Sequence, residues 1–176
     1  MLPNSAPRKH MNRFLPEELK SSVNLRSPGP GDEDSVEDYF QSLGETSRAF
    51  FHPHPFDREH AEMICRDTDP AAFRMVAECG DRIVACAWFS PSDKSPHPMV
   101  GIGVSDDFQG KRLGGAMLDA LVAEAKTRRH AGLRLTVYKE NERGVRLYQS
   151  RGCRIVGEKG PEHVMELVFD HSDQSG

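Results

Sequence analysis

The sequence predicts a mixed α+β fold in which a central, mixed but mostly antiparallel sheet of about seven strands carries helices on both faces. Two observations support this class. The hydrophobic spacing changes along the chain between the two-residue period of strands and the 3.6-residue period of helices. The predicted order is one strand, two helices and three strands, then helix, strand, helix and two strands. A run of antiparallel strands therefore leads into β-α-β crossovers.

The first part of the chain has weak patterning. Residues 1–22 mix proline, serine and charge without a hydrophobic period, which predicts a loose lead-in before a domain at 23–170. Residues 22–26 predict a short strand. The acidic residues 32–34 suit the positive end of a helix dipole, and the helix that they begin ends at Gly44. Residues 47–57 contain two prolines and predict a loop, and residues 57–67 predict a second helix.

The rest of the chain has clearer periods. Strands over 72–79 and 82–91 are joined by a turn at residues 80–81, and a third strand covers 98–105 after a loop at 90–98. A helical stripe begins at Leu113, with cations in its last turn and Gly132 just beyond. A strand follows at 133–138. Asn141 is the predicted N-cap of a helix that Gly152 terminates, and strands at 153–159 and 163–170 follow. Residues 171–176 are expected to be disordered.

The composition limits the classes of function. The 176-residue chain has 23 basic and 27 acidic residues, and its net charge of -4 is not the footprint of a general nucleic-acid binder. No apolar run reaches the roughly 20 residues of a membrane span, and the N-terminal segment lacks the apolar core of a secretory signal. The four cysteines form no C-x-x-C pair, which favours buried free thiols. We therefore expect a cytoplasmic protein with no nucleic-acid or membrane partner.

The segment "VSDDFQGKRLGGAML", residues 104–118, places the end of a strand, a cationic loop and a helix start next to one another. Unpaired N–H groups at a helix N-terminus carry the positive end of the dipole, and glycines let a ligand approach them. A phosphate-bearing ligand is one interpretation. The dinucleotide-binding and P-loop fingerprints are incomplete here. From this segment alone, a coenzyme A pyrophosphate loop and an ordinary helix-capping loop both stay open.

Two motifs follow one another in the second half of the chain. The first is a strand ending in Val104 and then Gln109 to Gly114, and the second is a strand, an Asn and a helix in "LTVYKENERGVRLYQSRGC". Over residues 75–169 they resemble the GNAT superfamily of N-acyltransferases, whose patterns are Gln/Arg-x-x-Gly-x-Gly/Ala and Leu-Tyr-x-x-x-Gly-Phe. Arg112 stands where the first pattern usually has Gly. Cys153 replaces the Phe of the second, a change that we interpret as packing only.

The resemblance implies an N-acetyltransferase of GNAT-like fold that moves an acetyl group from acetyl-CoA to a primary amine by direct attack. It implies that two parallel strands splay apart, and that the pantetheine arm fills the gap between them. The residues that it assigns to the cofactor are Ile102, Gly103, Val104, Gln109, Gly110, Lys111, Arg112, Leu113, Gly114, Gly115 and Asn141. Asn141 binds the cofactor arm, caps the helix, or does both.

Tyr148 is the catalytic residue that the resemblance implies. A neutral Tyr, with a pKa of about 10, can protonate a leaving thiolate whose conjugate acid has a pKa of about 8.5. A core aromatic that only packs is the alternative. No base is evident, since Thr136 stands where the family often has a Glu. Glu78 is a candidate, although a solvated strand residue is the simpler interpretation.

The acceptor is expected to be a small-molecule amine or a protein amino group. The segment "FFHPHPFDREH" predicts an aromatic wall for it, formed by Phe50, Phe51, His52, His54 and Phe56. Its His-x-His spacing lacks a further ligand at a typical separation, so no metal site is predicted. A homodimer stays open. The alternative functions are a non-catalytic acyl-CoA-binding sensor or scaffold and a nucleotide-binding regulatory domain.

Overall fold

The computed structural model describes residues 10–51 and 54–170, and these form a seven-stranded sheet. The strand order is β1-β2-β3-β4-β5-β7-β6. Neighbouring strands are antiparallel except for β4 and β5, which are parallel. The predicted fold class is confirmed. The strands are β1 Val23–Arg26, β2 Phe73–Cys79, β3 Arg82–Ser92, β4 Ser95–Val104, β5 Gly132–Tyr138, β6 Arg154–Lys159 and β7 Glu162–Val168.

The helices cover both faces of this sheet. They are α1 Glu33–Ser42, α2 Glu45–Phe50, α3 Arg58–Arg66, α4 Leu113–Thr127 and α5 Glu142–Ser150. One buried cluster joins α1 and α3 to the sheet, and a larger one joins α4 to it. Adjacent strand residues point to opposite faces, and Met75 and Val76 of β2 enter different clusters. No helix in the described ranges is long and apolar enough to cross a membrane.

Part of the predicted lead-in is ordered. Residues Met11–Phe14 and Glu17–Leu19 form short 3-10 helices, and Leu15 and Leu19 are buried in the larger cluster. The Asn12 side chain accepts a hydrogen bond of 2.7 Å from the Leu25 amide. The prediction was wrong over 11–19 because two separated leucines produce no period, yet each finds a place in the core. Residues 1–9 and 171–176 lie outside the described residues.

Three further details differ from the sequence predictions. Helix α2 occupies the first part of the predicted loop, since both prolines of that segment come after it. Strands β3 and β4 extend into the predicted loop at 90–98 and pair as far as Ser92 and Ser95. At the end of α4, Arg129 takes the left-handed conformation with a φ of 61°, whereas Gly132 is the first residue of β5.

Candidate active site

The central feature of the site is a gap between β4 and β5. These strands pair at a single position, Met99 opposite Arg134, although β4 runs on to Val104 and β5 to Tyr138. Beyond that pair, the facing edges carry backbone N–H and C=O groups without partners in a sheet ladder. Buried backbone polar groups need partners, so the gap is suited to an extended ligand that supplies them.

A cleft of about 650 Å³ follows this gap from the start of α4 to α2. All but one of the residues that the sequence assigned to the cofactor or to catalysis lie on it. These are Ile102, Gly103, Val104, Gln109, Gly110, Arg112, Leu113, Gly114, Gly115, Asn141 and Tyr148. The exception is Lys111, whose ammonium lies 4.7 Å from the centre of the Phe108 ring.

The start of α4 presents backbone amides to the cleft. The first helical hydrogen bond runs from the Ala116 amide to the Arg112 carbonyl, at 3.2 Å, so the amides of residues 113–115 precede it. A Cβ atom on Gly114 would lie 3.4 Å from Leu147 Cδ2, against the second helix of the site. The absence of side chains here leaves a cradle beside free N–H groups and cations. This chemistry fits the pyrophosphate of coenzyme A.

The backbone conformation of Arg112 explains why the family pattern usually has Gly at this position. Its φ is 63°, in the left-handed region that glycine adopts without steric cost. Arg112 lines the cleft, and its guanidinium pairs with Glu18 from the N-terminal segment. A hydrogen bond from Arg112 lowers the pKa of the Glu18 carboxyl. The role of this cation in binding phosphate stays a prediction, and the contact with Glu18 had no sequence signal.

Gln109 connects three elements across the mouth of the cleft. Its Nε2 donates to the Val104 carbonyl at 3.1 Å and to Ser47 Oγ of α2 at 2.9 Å. Its Oε1 accepts a 3.0 Å hydrogen bond from Arg143 of α5. The Val104 carbonyl was expected to bind the cofactor arm. It is bonded to a side-chain amide here, which a ligand amide would replace.

Tyr148 and Asn141 are held by α5. Tyr148 is 8% exposed, lines the cleft, and its hydroxyl has no hydrogen-bond partner among the described residues. Burial raises the pKa of Tyr148 above its ordinary value, with a smaller contribution from Cys153. The hydroxyl therefore stays protonated. The Asn141 side chain accepts from the Gly144 amide at 3.0 Å, which confirms the N-cap, and Asn141 also lines the cleft.

Helix α2 crosses the gap on the face opposite α4. The Phe50 ring lies 6.0 Å from the Tyr138 ring of β5. On the other side of the gap, a Cβ atom on Gly103 would lie 2.4 Å from Phe51 Cε1 and 2.6 Å from the Tyr39 hydroxyl. Aromatic side chains therefore rest directly on the β4 backbone. The i, i+2 spacing of Gly101 and Gly103 was the available signal, because it removes side chains from one face of a strand.

The predicted aromatic wall is only partly at the cleft. Phe50 and Phe51 line it, whereas His54 stacks on His60 at 5.0 Å and Phe56 packs on Phe40 at 5.2 Å. His52 lies outside the described residues. In the described ranges, no group of three or more His, Cys, Asp or Glu residues could hold a metal ion.

The carboxylates correct one prediction and add new candidates. Glu78 is on β2, which β3 and β4 separate from the gap, and it pairs with Arg26 at 2.8 Å, so it was a wrong candidate for the base. Glu140 and Glu142 line the cleft at its exposed end. Thr136 also lines the cleft, and its Oγ1 donates to Glu162 Oε1 at 3.1 Å. Sequence reasoning missed Glu162 because it comes from β7, far along the chain from either motif.

Comparison with known proteins agrees with this geometry. A curated relative, mycothiol acetyltransferase from Propionibacterium freudenreichii subsp. shermanii, is 28% identical over 132 residues, which are 68% of this chain. The match spans only 41% of that protein's length. Among solved structures, the GNAT domain of S. lividans PAT has a TM-score of 0.75 at 14% identity, covering 84% of this chain and 90% of its own.

A second solved structure, PaiA N-acetyltransferase from Thermoplasma acidophilum in complex with coenzyme A, has a TM-score of 0.71 at 14% identity. The superposition covers 84% of this chain and 99% of the other. At such identities the two structures show a shared fold. The model of the acetyltransferase (GNAT) family matches residues 36–153, which contain the whole gap between β4 and β5 and both helices that flank it. The chain therefore belongs to the GNAT acetyltransferase family.

Proposed function

We propose that this protein transfers an acetyl group from acetyl-CoA to a primary amine by direct attack. The observation that carries the proposal is the single-pair junction of β4 and β5, with the α4 amides at one end of the gap and Tyr148 beside it. An extended amide-containing arm ending in a pyrophosphate matches both features. The family and the coenzyme A complex of a structural neighbour support the choice of cofactor.

The residues divide the work between binding and proton transfer. The backbone of 102–104 binds the amides of the arm, after Gln109 leaves the Val104 carbonyl. The N–H groups of residues 113–115, with Arg112 and Arg143, bind the pyrophosphate. Acetyl-CoA supplies the activated acetyl group. The Tyr148 hydroxyl holds the proton that the departing sulfur needs, since burial keeps this phenol neutral.

The lining of the acceptor side favours an uncharged primary amine. Helix α2 covers the gap there, with Phe50 against Tyr138 and Phe51 against β4. Thr46 of the same helix adds a hydroxyl to the lining of the cleft. A neutral hydroxyl and aromatic rings suit an uncharged amine better than an anionic group. Similar proteins differ in acceptor by name, from mycothiol acetyltransferase to ribosomal-protein-S5-alanine acetyltransferase of Vibrio fischeri.

The proposal also places the protein in a reducing compartment, the cytoplasm. All four cysteines are free thiols, and three of them are buried. Burial raises the pKa of the Cys65 thiol to about 11, which disfavours the reactive thiolate.

Two measurements test the proposed function. A thermal-shift series with acetyl-CoA, coenzyme A and ATP should show stabilisation by the first two only. A panel of small amines, amino sugars and peptides with free amino groups should then release thiol from acetyl-CoA with at least one acceptor. Stabilisation by acetyl-CoA without thiol release would favour the acyl-CoA-binding sensor, and stabilisation by ATP alone would favour a nucleotide-binding domain.

A further inference from the structure

Acetyl transfer by direct attack needs a group that accepts a proton from the amine. As the C–N bond forms, the nitrogen gains positive charge and becomes acidic, so a base near the gap accelerates the step. On either strand that borders the gap, the residues from 99 to 104 and from 133 to 138 include no Asp or Glu. A carboxylate that serves as this base therefore has to reach the gap from another element, directly or through a hydroxyl.

The pair Thr136–Glu162 has this arrangement. Thr136 lines the cleft, and its hydroxyl donates to Glu162 Oε1 at 3.1 Å. The register of β5 and β7 pairs Thr136 with Val164 and Tyr138 with Glu162, so Glu162 lies two ladder positions beyond Thr136 and on the same face. On β6, the other neighbour of β7, Lys159 is paired with Glu162. Thr136 keeps its oxygen lone pairs available to the cleft while its proton points to the carboxylate.

The face on which Thr136 lies is the acceptor face. Leu133, Leu135 and Val137 of β5 belong to the cluster under α4, so the residues between them point the other way. Tyr138 confirms this, since its ring contacts Phe50 of α2. Tyr148 belongs to the α4-side cluster. A proton acceptor and a proton donor therefore lie on opposite faces of the same gap.

We propose that Glu162 is the general base of the transfer and acts through the Thr136 hydroxyl. This inference rests on the proposed function. In the step, an N–H bond of the attacking amine breaks and its proton moves to Thr136 Oγ1, directly or through one water. The Thr136 O–H bond breaks at the same time, and that proton bonds to Glu162 Oε1. Thr136 ends neutral, and the partly exposed Glu162 returns its proton to solvent.

The other carboxylates near the site fit this role less well. Glu142 is exposed and pairs with Arg146 at 3.2 Å. Glu140 is exposed at the mouth of the cleft, beyond the end of β5, and among the described residues no hydroxyl connects it to the gap. Asp106 accepts from Ser47 at 2.5 Å on the loop side, next to the phosphate end of the cleft.

The test compares two glutamates of one strand. Glu166 lies on the same face of β7 and pairs with Arg134 at 2.8 Å, so Glu166→Gln is a matched control for Glu162→Gln. Thr136→Val removes the hydroxyl at nearly constant volume, and Thr136→Ser keeps the hydroxyl and removes only the methyl group. The readouts are turnover with the best acceptor from the panel, its pH profile, acetyl-CoA affinity by calorimetry, and thermal stability of the free protein.

We expect Glu162→Gln and Thr136→Val each to lower kcat by about a hundredfold, as for loss of a general base. The double variant should be no worse than either single one, because both act in one relay. Glu162→Gln should also change the pH profile of kcat. Acetyl-CoA affinity and stability should be unchanged, and the Ser and Glu166→Gln variants should keep most of the activity.

Three results would overturn the inference. One is wild-type turnover in Glu162→Gln. Another is an equal loss in Glu166→Gln, which would indicate a general effect of β7. The third is a parallel loss of acetyl-CoA affinity and stability with an unchanged pH profile, which would make the pair structural. A wild-type protein that binds acetyl-CoA and acetylates no amine would overturn the proposed function itself, and the inference with it.

Discussion

The two sides of the gap between β4 and β5 differ in where the chain encodes them. The α4 side is built mostly by one continuous segment, residues 104–118, whose amides, glycines and cations lie next to one another in the sequence. The α2 side is assembled from side chains of α1, α2, β5 and β7. Tyr39 and Phe51, for example, come from the first third of the chain, whereas Glu162 comes from β7 near its end.

This difference follows from the groups that each side uses. Backbone amides at a helix start can bind an anion wherever a strand, a glycine-containing loop and a helix follow one another, so the local sequence is enough. An acceptor site uses side chains, and their positions depend on packing between distant elements. Variants on the two sides should therefore have separable effects: on cofactor affinity for the α4 side, and on stability, acceptor use or proton transfer for the α2 side.

Substituting Tyr148 should give the largest effect and show that α5 contributes chemistry beyond binding. Tyr148→Phe removes one hydroxyl while the ring still fills its place, so kcat should fall by roughly a hundredfold or more with KM held. Affinity for acetyl-CoA, measured by calorimetry, should stay near the wild-type value. Wild-type turnover would make Tyr148 a packing residue, and a joint fall of turnover and affinity would make the hydroxyl a cofactor ligand.

Gly103→Ala should disturb the α2 side while leaving the loop at 104–118 intact. The added Cβ would lie within 2.7 Å of Phe51 and of the Tyr39 hydroxyl, so both must move. Overpacking of this kind costs about 1–3 kcal/mol of unfolding free energy. Gly157→Ala is the matched control, because a Cβ there meets nothing within 4 Å. Equal melting temperatures for the two variants would contradict this account of β4.

Gly114→Val should disturb the α4 side alone. A Cβ atom at position 114 would already be in van der Waals contact with Leu147. The two methyl groups of Val must therefore point toward Leu147 or into the cradle. Acetyl-CoA affinity should fall at least tenfold, about 1.4 kcal/mol, while the fold is kept. Gly114→Ala should lose less. A folded Val variant with unchanged affinity would remove the loop from the binding site.

Changes at Arg112 should give the smallest effect and separate backbone from charge. Arg112→Ala and Arg112→Gly both remove the cation, so both should weaken acetyl-CoA binding a few-fold, more at low salt than at high salt. Only the Gly variant adopts the left-handed backbone without steric cost. Its free energy of unfolding should therefore be roughly 1 kcal/mol higher than that of the Ala variant. Lys111→Ala is the control, since Lys111 does not line the cleft. Equal stability of the Ala and Gly variants would argue against the strain.

Elements with a strong period were predictable, and elements fixed by long-range packing were not. The stripe from Leu113 to Ala125 predicted α4, and Asn141 and Gly152 predicted both ends of α5. Leu15 and Leu19 gave no period, so the N-terminal segment looked loose although both side chains enter the core. The cofactor side followed from two motifs, whereas Glu162 had no local signal and required the pairing of β5 with β7.

The single ladder pair between β4 and β5 also affects how the molecule unfolds. Strands β1–β4 form one half of the sheet and β5, β7 and β6 form the other, and the Met99–Arg134 pair is the one ladder pair between them. Helices α2 and α4 pack across this junction from the two faces. Because few hydrogen bonds couple the two halves, one half can open while the other stays folded. We therefore expect the amide hydrogens of the two halves to show two different levels of protection from exchange. A bound arm would act as a removable strand and bring these levels together. The supply of acetyl-CoA would then set the rate at which the cell's proteases degrade the protein as well as its rate of catalysis.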